Sequence, residues 1–347
     1  MAKIRSGLVA VGLALFAVMF AEAQVPSSGG PYQVAKIFKV GGAGGWDYVT
    51  VDPENKRLYL PRTTHTMVLD ATTGKSLADI PGQKGNHGVA LVPSAGRGFI
   101  TDGKDGSVMI FDLKTSEVLG KVKAAEDADG VIYDPASGKV LVSCGDAGVM
   151  VPIAPDVDPK SGKADEAVKL GGKPEFLVAD GQGKVFINIV DKDQVAVVDT
   201  KTMKVLDKWP TAPGGSPVGM SMDREHRRLF VGCRKPQKLI VMSADDGKVL
   251  ADLPIGAGVD ATQFDNGYVF ASCRDGSLAV AQETSPGKFE IVQDLKTRPG
   301  AKTMAVDPTT HTIFLPTAEF GKETDARSRP IAKPGTFMVV VVRPAKR

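Results

Sequence analysis

Seven positions recur along the chain at near-constant spacing, and most carry groups able to do acid–base or ligand chemistry. They are Asp47, His87, Asp129, Glu175, Val218, Asp260 and Lys302, separated by 40, 42, 46, 43, 42 and 42 residues. Val218 alone among them cannot ionise. Four carboxylates face one ammonium and one imidazole, an excess of negative charge if the positions are brought together. Such an excess is relieved by recruiting a cation, by protonating His87, or by a rise in a carboxyl pKa. An oxygen-rich donor set suits Ca²⁺ or Mg²⁺, and a single histidine admits a transition metal. Calcium is the candidate ion, with Asp129, Glu175 and His87 as candidate metal ligands. The same groups also read as a self-neutralising polar ring around a water-filled channel, since ion-pair networks perturb pKa values without function.

A second set of polar residues follows the second strands, 14 to 18 residues after these positions. It comprises Arg62, His65, Asp102, Asp105, Asp146, Asp191, Arg234, Arg274 and Glu319. Arg234 and Arg274 each follow a cysteine, and two guanidinium groups at matching places could clamp a carboxylate or a phosphate. Ordinary pairing with Asp191 or Glu319 is the competing reading. Together the two sets give the candidate ligand-binding residues Asp47, His87, Asp129, Glu175, Asp260, Lys302, Arg62, Arg234 and Arg274. No G-x-S-x-G and no strand–GxGxxG–helix pattern occurs, so neither a nucleophile elbow nor a Rossmann cofactor site is indicated.

What could hold these groups together is a repeated unit. In Gly45–Pro81, the β-rich run Tyr48–Val51 ends in the turn Asp52-Pro53-Glu54-Asn55, where proline presets φ and asparagine tolerates a left-handed conformation. Leu58-Tyr59-Leu60, Met67–Asp70 and Lys75–Ile80 follow as strands separated by turns. The turn recurs from Pro53 at steps of 40, 42, 46, 43, 42 and 42 residues. A four-stranded unit at this period means propeller blades around a central channel, and the expected fold is an all-β, seven-bladed propeller. The last copy stops after its third strand, Thr336–Val342, while Tyr32–Val40 is a spare strand at the other end. These two are expected to pair and close the wheel. The loops before each first strand and after each second strand then open on one face, which places both polar sets at the channel mouth. Neighbouring blades are expected to hold these groups on the order of 8–10 Å apart, where charges interact by roughly 2 kcal/mol at an effective dielectric near 20.

The chain resembles the YVTN-repeat (YncE-like) β-propellers. The family pattern appears as Leu58–Arg62 (LYLPR), Val140–Cys144 (VLVSC), Val185–Ile189 (VFINI) and Val195–Thr202 (VAVVDTKT). The resemblance runs from Tyr32 to Pro344 and implies a propeller fold, but little about chemistry, because a fold hosts many functions.

The remaining features bound the function. Lys3 and Arg5 precede an apolar run to Phe20 and the segment Ala21-Glu22-Ala23, a secretory signal peptide with its cleavage after Ala23. Residues 24–31 form a linker, and the propeller takes 32–347. The expected location is periplasmic or secreted, with no membrane span in the mature chain. Losing Lys3, Arg5 and Glu22 takes the net charge from +3 to +2, which argues against nucleic acid as a partner. With 6% aromatic residues, the chain also lacks the stacking rings of a single-strand binder. Cys144, Cys233 and Cys273 occupy one repeat position in separate blades, beyond disulfide reach, and read as free buried thiols. Blade 3 has a long turn, Ala154–Asp165, whose Asp156, Asp158 and Asp165 miss the EF-hand spacing. Blade 7 has a charged loop, Ala318–Gly335, expected to act as a lid. His226 and His311 fall in turns of the opposite face and are expected to be exposed. The sequence thus favours a monomeric, exported, non-catalytic protein that binds a small polar ligand, a peptide or a protein at the channel mouth. A calcium-assisted hydrolase or lactonase at the same mouth, with His87 or an acidic neighbour as base, is the alternative.

Overall fold

The computed structural model describes residues 29–325 and 328–345. The proposed signal peptide and most of the linker lie outside these residues. Seven four-stranded antiparallel sheets follow one another around a central channel. In blade 2 the strands are Asn86–Val92, Arg97–Asp102, Ser107–Asp112 and Val118–Lys123, each paired with the next. Blades 1 and 3 to 6 repeat this order.

Blade 7 is shared by the two ends of the chain. Its strands are Ala305–Asp307, Thr312–Thr317, Met338–Pro344 and, outermost, Tyr32–Lys39. Tyr32 pairs with Pro344 and Lys39 with Met338. The third strand thus starts two residues later than the expected Thr336, because Phe337 spends its carbonyl on the amides of Val40 and Gly41 in the loop that follows the closing strand. Phe337 to Val342 are all buried, and at roughly 1.5–3 kcal/mol per buried side chain this strand outweighs the ordering of two chain ends.

The core lies between blades. Tyr59, Val68 and Ile80 of blade 1 pack on Val89, Ile100, Met109 and Phe111 of blade 2, and blades 2 and 3 share a cluster of the same kind. This explains why second strands are apolar on both faces, as in Leu58-Tyr59-Leu60, whereas outer strands such as Ser76–Pro81 bury one residue and expose most others. Close approach is needed in places. A Cβ on Gly219 would lie 2.7 Å from the backbone nitrogen of Thr262 in the next blade.

Two departures from the repeat have local causes. In blade 3 the long turn leaves an outer strand of only Val168–Lys169, and Arg97 of blade 2 holds that turn through the carbonyls of Pro155 and Val157. The segment expected as a lid carries a small hairpin, Phe320–Thr324 with Pro330–Ala332. No described helix is long and apolar enough to cross a membrane.

Candidate functional site

The recurrent positions owe their direction to a backbone irregularity. In blade 2, Asn86 faces Asp102 and Val89 faces Ile100, so His87 and Gly88 together oppose Thr101. Blade 3 does the same with Asp129 and Gly130 opposite Ser143, and blade 4 with Glu175 and Phe176 opposite Asn188. In blades 5 and 6 the extra residues are Val218 and Asp260. A β-bulge bends its strand and re-aims a side chain. Repeated at one place in five successive blades, it turns one residue per blade toward the axis. In blades 1 and 7 the strands begin only at Thr50 and Ala305, so Asp47 and Lys302 come from the segments just ahead of them.

A second repeated feature ties the ring segments of neighbouring blades together. The second-strand residue opposite the bulge is polar and buried in four blades, as Thr101, Ser143, Asn188 and Ser272. Three of these reach into the next blade. Thr101 Oγ1 donates to the carbonyl of Asp129 (2.5 Å), Asn188 Nδ2 to that of Val218 (2.8 Å), and Ser272 Oγ to that of Lys302 (2.5 Å). Thr303 completes the belt by donating to the carbonyl of Asp47 (2.7 Å). Each bulge leaves carbonyls without a ladder partner, and burying them unsatisfied would cost about 1–3 kcal/mol apiece. A lone polar residue inside an apolar second strand, as in VFINI and VFASC, was the available sequence signal.

With these supports the side chains meet directly, rather than at the expected 8–10 Å. His87 Nδ1 lies 2.7 Å from Asp47 Oδ2 and 3.4 Å from Asp129 Oδ1. Lys302 Nζ lies 3.2 Å from Asp47 Oδ1 and also pairs with Asp260. Asp260 in turn pairs with Arg234, whose Nε donates to the carbonyl of Val259. The result is a continuous chain, Asp129–His87–Asp47–Lys302–Asp260–Arg234, through blades 3, 2, 1, 7, 6 and 5. Arg234, from the end of a second strand, supplies the charge that Val218 cannot. Glu175 of blade 4 is the one member of the ring with no hydrogen bond or ion pair among the described residues.

The electrostatics follow this division. Burial pushes Asp47 up, but Lys302 and His87 outweigh it and hold the carboxyl down at about 2. Burial pushes His87 down, but the hydrogen bond it donates to Asp47 and the charge of Asp129 raise it to about 9, so the imidazole is protonated at neutral pH. Lys302 is raised despite burial by Asp260 and Asp47. On the other side, burial raises Asp129 well above the carboxylate range, with Asp47 and Glu175 adding to it against His87. Burial raises Glu175 to about 7, opposed by Arg234 and reinforced by Asp260 and Asp47. Asp129 Oδ1 is moreover buried with no hydrogen-bond partner.

Below the ionic basin the channel is bridged. Tyr48 and Phe176 belong to blades 1 and 4, on opposite sides of the wheel, yet their ring centroids lie 4.4 Å apart. Burial, followed by the charges of Asp129, Glu175, Asp47 and Asp260, raises the Tyr48 hydroxyl well above its ordinary value.

Known proteins add little to this geometry. A solved structure to which the chain is similar is a hydrazine synthase of Kuenenia stuttgartiensis, with 12% identity, a TM-score of 0.49, and coverage of 71% of this chain and 97% of that one. This likeness carries no argument about function. No protein-family model matches the chain, and no curated protein matches it.

The structure gathers Asp47, His87, Asp129, Glu175, Asp260, Lys302 and Arg234, but not every candidate. Arg62 is turned away and buried. It donates to the carbonyls of Gly41, Gly44 and Gly45 and lies 3.6 Å from the Phe337 ring centroid. Its role is to hold the glycine-rich loop that leads into Asp47. Arg274 is exposed, and its guanidinium makes no hydrogen bond or ion pair among the described residues. Asp102 and Asp105 are taken up by Lys121. His311 is half-buried rather than exposed, because its Nδ1 lies 2.7 Å from Asp265 Oδ2 of the neighbouring blade. His226 is exposed as expected and pairs with Asp223. The three thiols are free and buried, and burial pushes each up to about 12, so none is a nucleophile at neutral pH. Among the described residues, the donor set compact enough for a metal is Asp47, His87 and Asp129, whose ligand atoms lie within 4.8 Å of one another. Glu175 is not part of it.

Proposed function

We propose that this chain is an exported, non-catalytic binding protein of the YVTN-repeat kind. It takes a small polar ligand with a cationic group into the basin at the channel mouth. The observation that carries this reading is the open arc of the ring. Asp129 Oδ1 is buried with no hydrogen bond, and the cation it faces is the His87 imidazole at 3.4 Å, which is held more closely by Asp47, while Glu175 beside it is raised to about 7 and makes no ion pair among the described residues. A buried carboxylate short of cations is costly, and an ammonium or guanidinium group from a ligand would relieve both residues. Arg274, which makes no ion pair among the described residues, would meet an anionic end of the same molecule.

The test is a thermal-shift and calorimetric screen with lysine, arginine, ethanolamine and putrescine. At least one should raise the melting temperature saturably, and Asp129→Asn combined with Glu175→Gln should abolish the shift. If no amine binds, or if the double variant binds as well as the wild type, the reading fails.

The cluster of Asp47, His87 and Asp129 favours a second reading, a metal-assisted hydrolase. Calcium takes six to eight oxygen ligands, and here two carboxylates and an imidazole are presented around a nitrogen that already holds a proton at neutral pH. A cation would have to displace that proton, so its binding should strengthen as pH rises through about 9. Calcium that raises stability, with the effect reversed by chelator and lost in Asp47→Asn, would favour this reading over the first.

A further inference from the structure

The far side of the Tyr48–Phe176 bridge holds a second compartment that the ionic basin does not use. It is a cavity of about 260 Å³ within the channel, lined by first strands of the blades. Both bridging rings line it, and none of Asp47, His87, Asp129 and Glu175 does. We propose that this chamber is a separate binding site for a small amphipathic carboxylate, a hydrocarbon or aromatic body bearing one anionic group.

The chemistry of the lining points to that class. The wall includes Met220, Met222, Met304 and Phe264, and methionine side chains adapt to apolar shapes that a rigid wall would reject. Polar side chains enter the lining from several blades, but the hydroxyls of Thr50 and Thr303 are spent on the carbonyls of Val89 and Asp47. Ser221 is 6% exposed, lines the chamber, and its hydroxyl has no hydrogen-bond partner. Gln263 of the next blade lines the chamber as well, and its side-chain amide makes no hydrogen bond among the described residues. A lining in which most side chains are apolar and a few polar groups are left free to pair is a usual form of small-molecule pocket. Its volume lies a little under the usual range of about 300–1,000 Å³, which selects a small ligand.

The charge is supplied by Arg224, the one charged residue in the lining. Its Nε and Nη2 both donate to the carbonyl of Ala179 in the neighbouring blade, at 3.1 and 2.8 Å. No carboxylate pairs with it among the described residues. The adjacent Asp223 is turned to its own turn, where it accepts from the amides of Glu225 and His226 and pairs with the His226 ring. Arg224 is exposed, so the charged end of the chamber faces solvent. The anion would meet Arg224 there, and the apolar body would run inward past Ser221 toward Phe176.

Octanoate and benzoate are the probes, with 1-octanol as the uncharged control, titrated into the purified protein and read by calorimetry. Octanoate or benzoate should bind at one site per chain, and 1-octanol at least tenfold more weakly than octanoate. Arg224→Gln should weaken the acid at least tenfold, while Arg224→Lys, which keeps the charge, should retain most of the binding. Ser221→Ala, which removes no existing hydrogen bond, should fold normally and bind several-fold more weakly. Asp129→Asn with Glu175→Gln should bind the acid unchanged, which keeps this test separate from that of the basin. No saturable binding of either acid, equal binding of octanol and octanoate, or loss of binding in the basin variant in place of Arg224→Gln would overturn the proposal.

Discussion

The hub is one ring with two unequal arcs. From blade 5 through blades 6, 7 and 1 to blade 2, every ionisable side chain of the ring touches an opposite charge, and Asp47 and Lys302 are shifted toward their charged forms. In blades 3 and 4 the same bulge presents Asp129 and Glu175, and burial shifts both toward their neutral forms. The four-stranded blade is common to both arcs, but three members of the paired arc reach the ring without the bulge, Asp47 and Lys302 from the segments before their strands and Arg234 from a second strand. An arc that satisfies itself is structure, whereas an arc left short of cations is where a ligand has something to supply.

The largest expected effect is on the paired arc. Lys302→Met leaves Asp47 and Asp260 facing each other without their shared cation, and breaking a buried pair by removing one partner costs about 3–5 kcal/mol. Chemical denaturation should show a loss of this order, partly restored when Asp260→Asn is added. A loss below about 1 kcal/mol would mean that the paired arc is no more self-sufficient than the open one.

The two arcs should also separate by pH. His87 is raised from 6.5 to about 9, so its contribution is fully present below 6.5 and is lost as pH rises through 9. Glu175 is raised from 4.5 to about 7, so the folded state holds its proton more tightly. Its stabilising effect is full below 4.5 and is lost as pH rises through 7. Stability measured by denaturant should therefore fall by a few kcal/mol in all between about pH 4.5 and 9. Glu175→Gln should flatten the lower part of that decline and His87→Gln the upper part. A wild-type profile that is level across both windows would remove the electrostatic distinction between the arcs.

How much of this was legible in the sequence depends on the kind of information involved. The spacing of Asp52, Pro93, Asp134 and their equivalents fixes the blades, and the two-sided apolar run at Phe337–Val342 identifies an interior strand awaiting a partner. Both are patterns within one strand. The bulges are not, because an extra residue exists only relative to the opposing strand, and the pairing of Val89 with Ile100 is invisible until the sheet is built. Without the bulge, His87 and Asp129 could be placed at the mouth but not aimed at one another. Arg62 misled for a related reason. It lies one residue past its second strand, whereas Arg234 still belongs to one, and in blade 1 the carbonyls of Gly41, Gly44 and Gly45 pass beside it and take its guanidinium. Arg234 itself shows that the seventh charge of the ring comes from another strand, so the Val218 position was not the gap it seemed.

The bulge belt predicts a case in which the arcs should behave alike. Thr101→Val in blade 2 and Asn188→Ala in blade 4 each strip a buried carbonyl of the next blade of its donor, and each should cost about 1–3 kcal/mol. Equal losses would locate the difference between the arcs in the charges. A much smaller loss at Asn188 would mean that blade 4 differs in its backbone too.

The smallest effect should come from Arg274, which lies beside the paired arc but makes no pair. Exposed residues free of special contacts usually change stability by no more than about 0.5 kcal/mol when substituted, so Arg274→Gln should leave the denaturation midpoint almost unmoved. Binding of a zwitterionic amine such as lysine should nevertheless weaken, while putrescine, which has no carboxylate, should bind as before. If Arg274→Gln destabilises the fold as Lys302→Met does, the paired arc extends one residue further than the geometry assigns. If lysine and putrescine respond alike, the basin reads only the cationic end of its ligand, through Asp129 and Glu175.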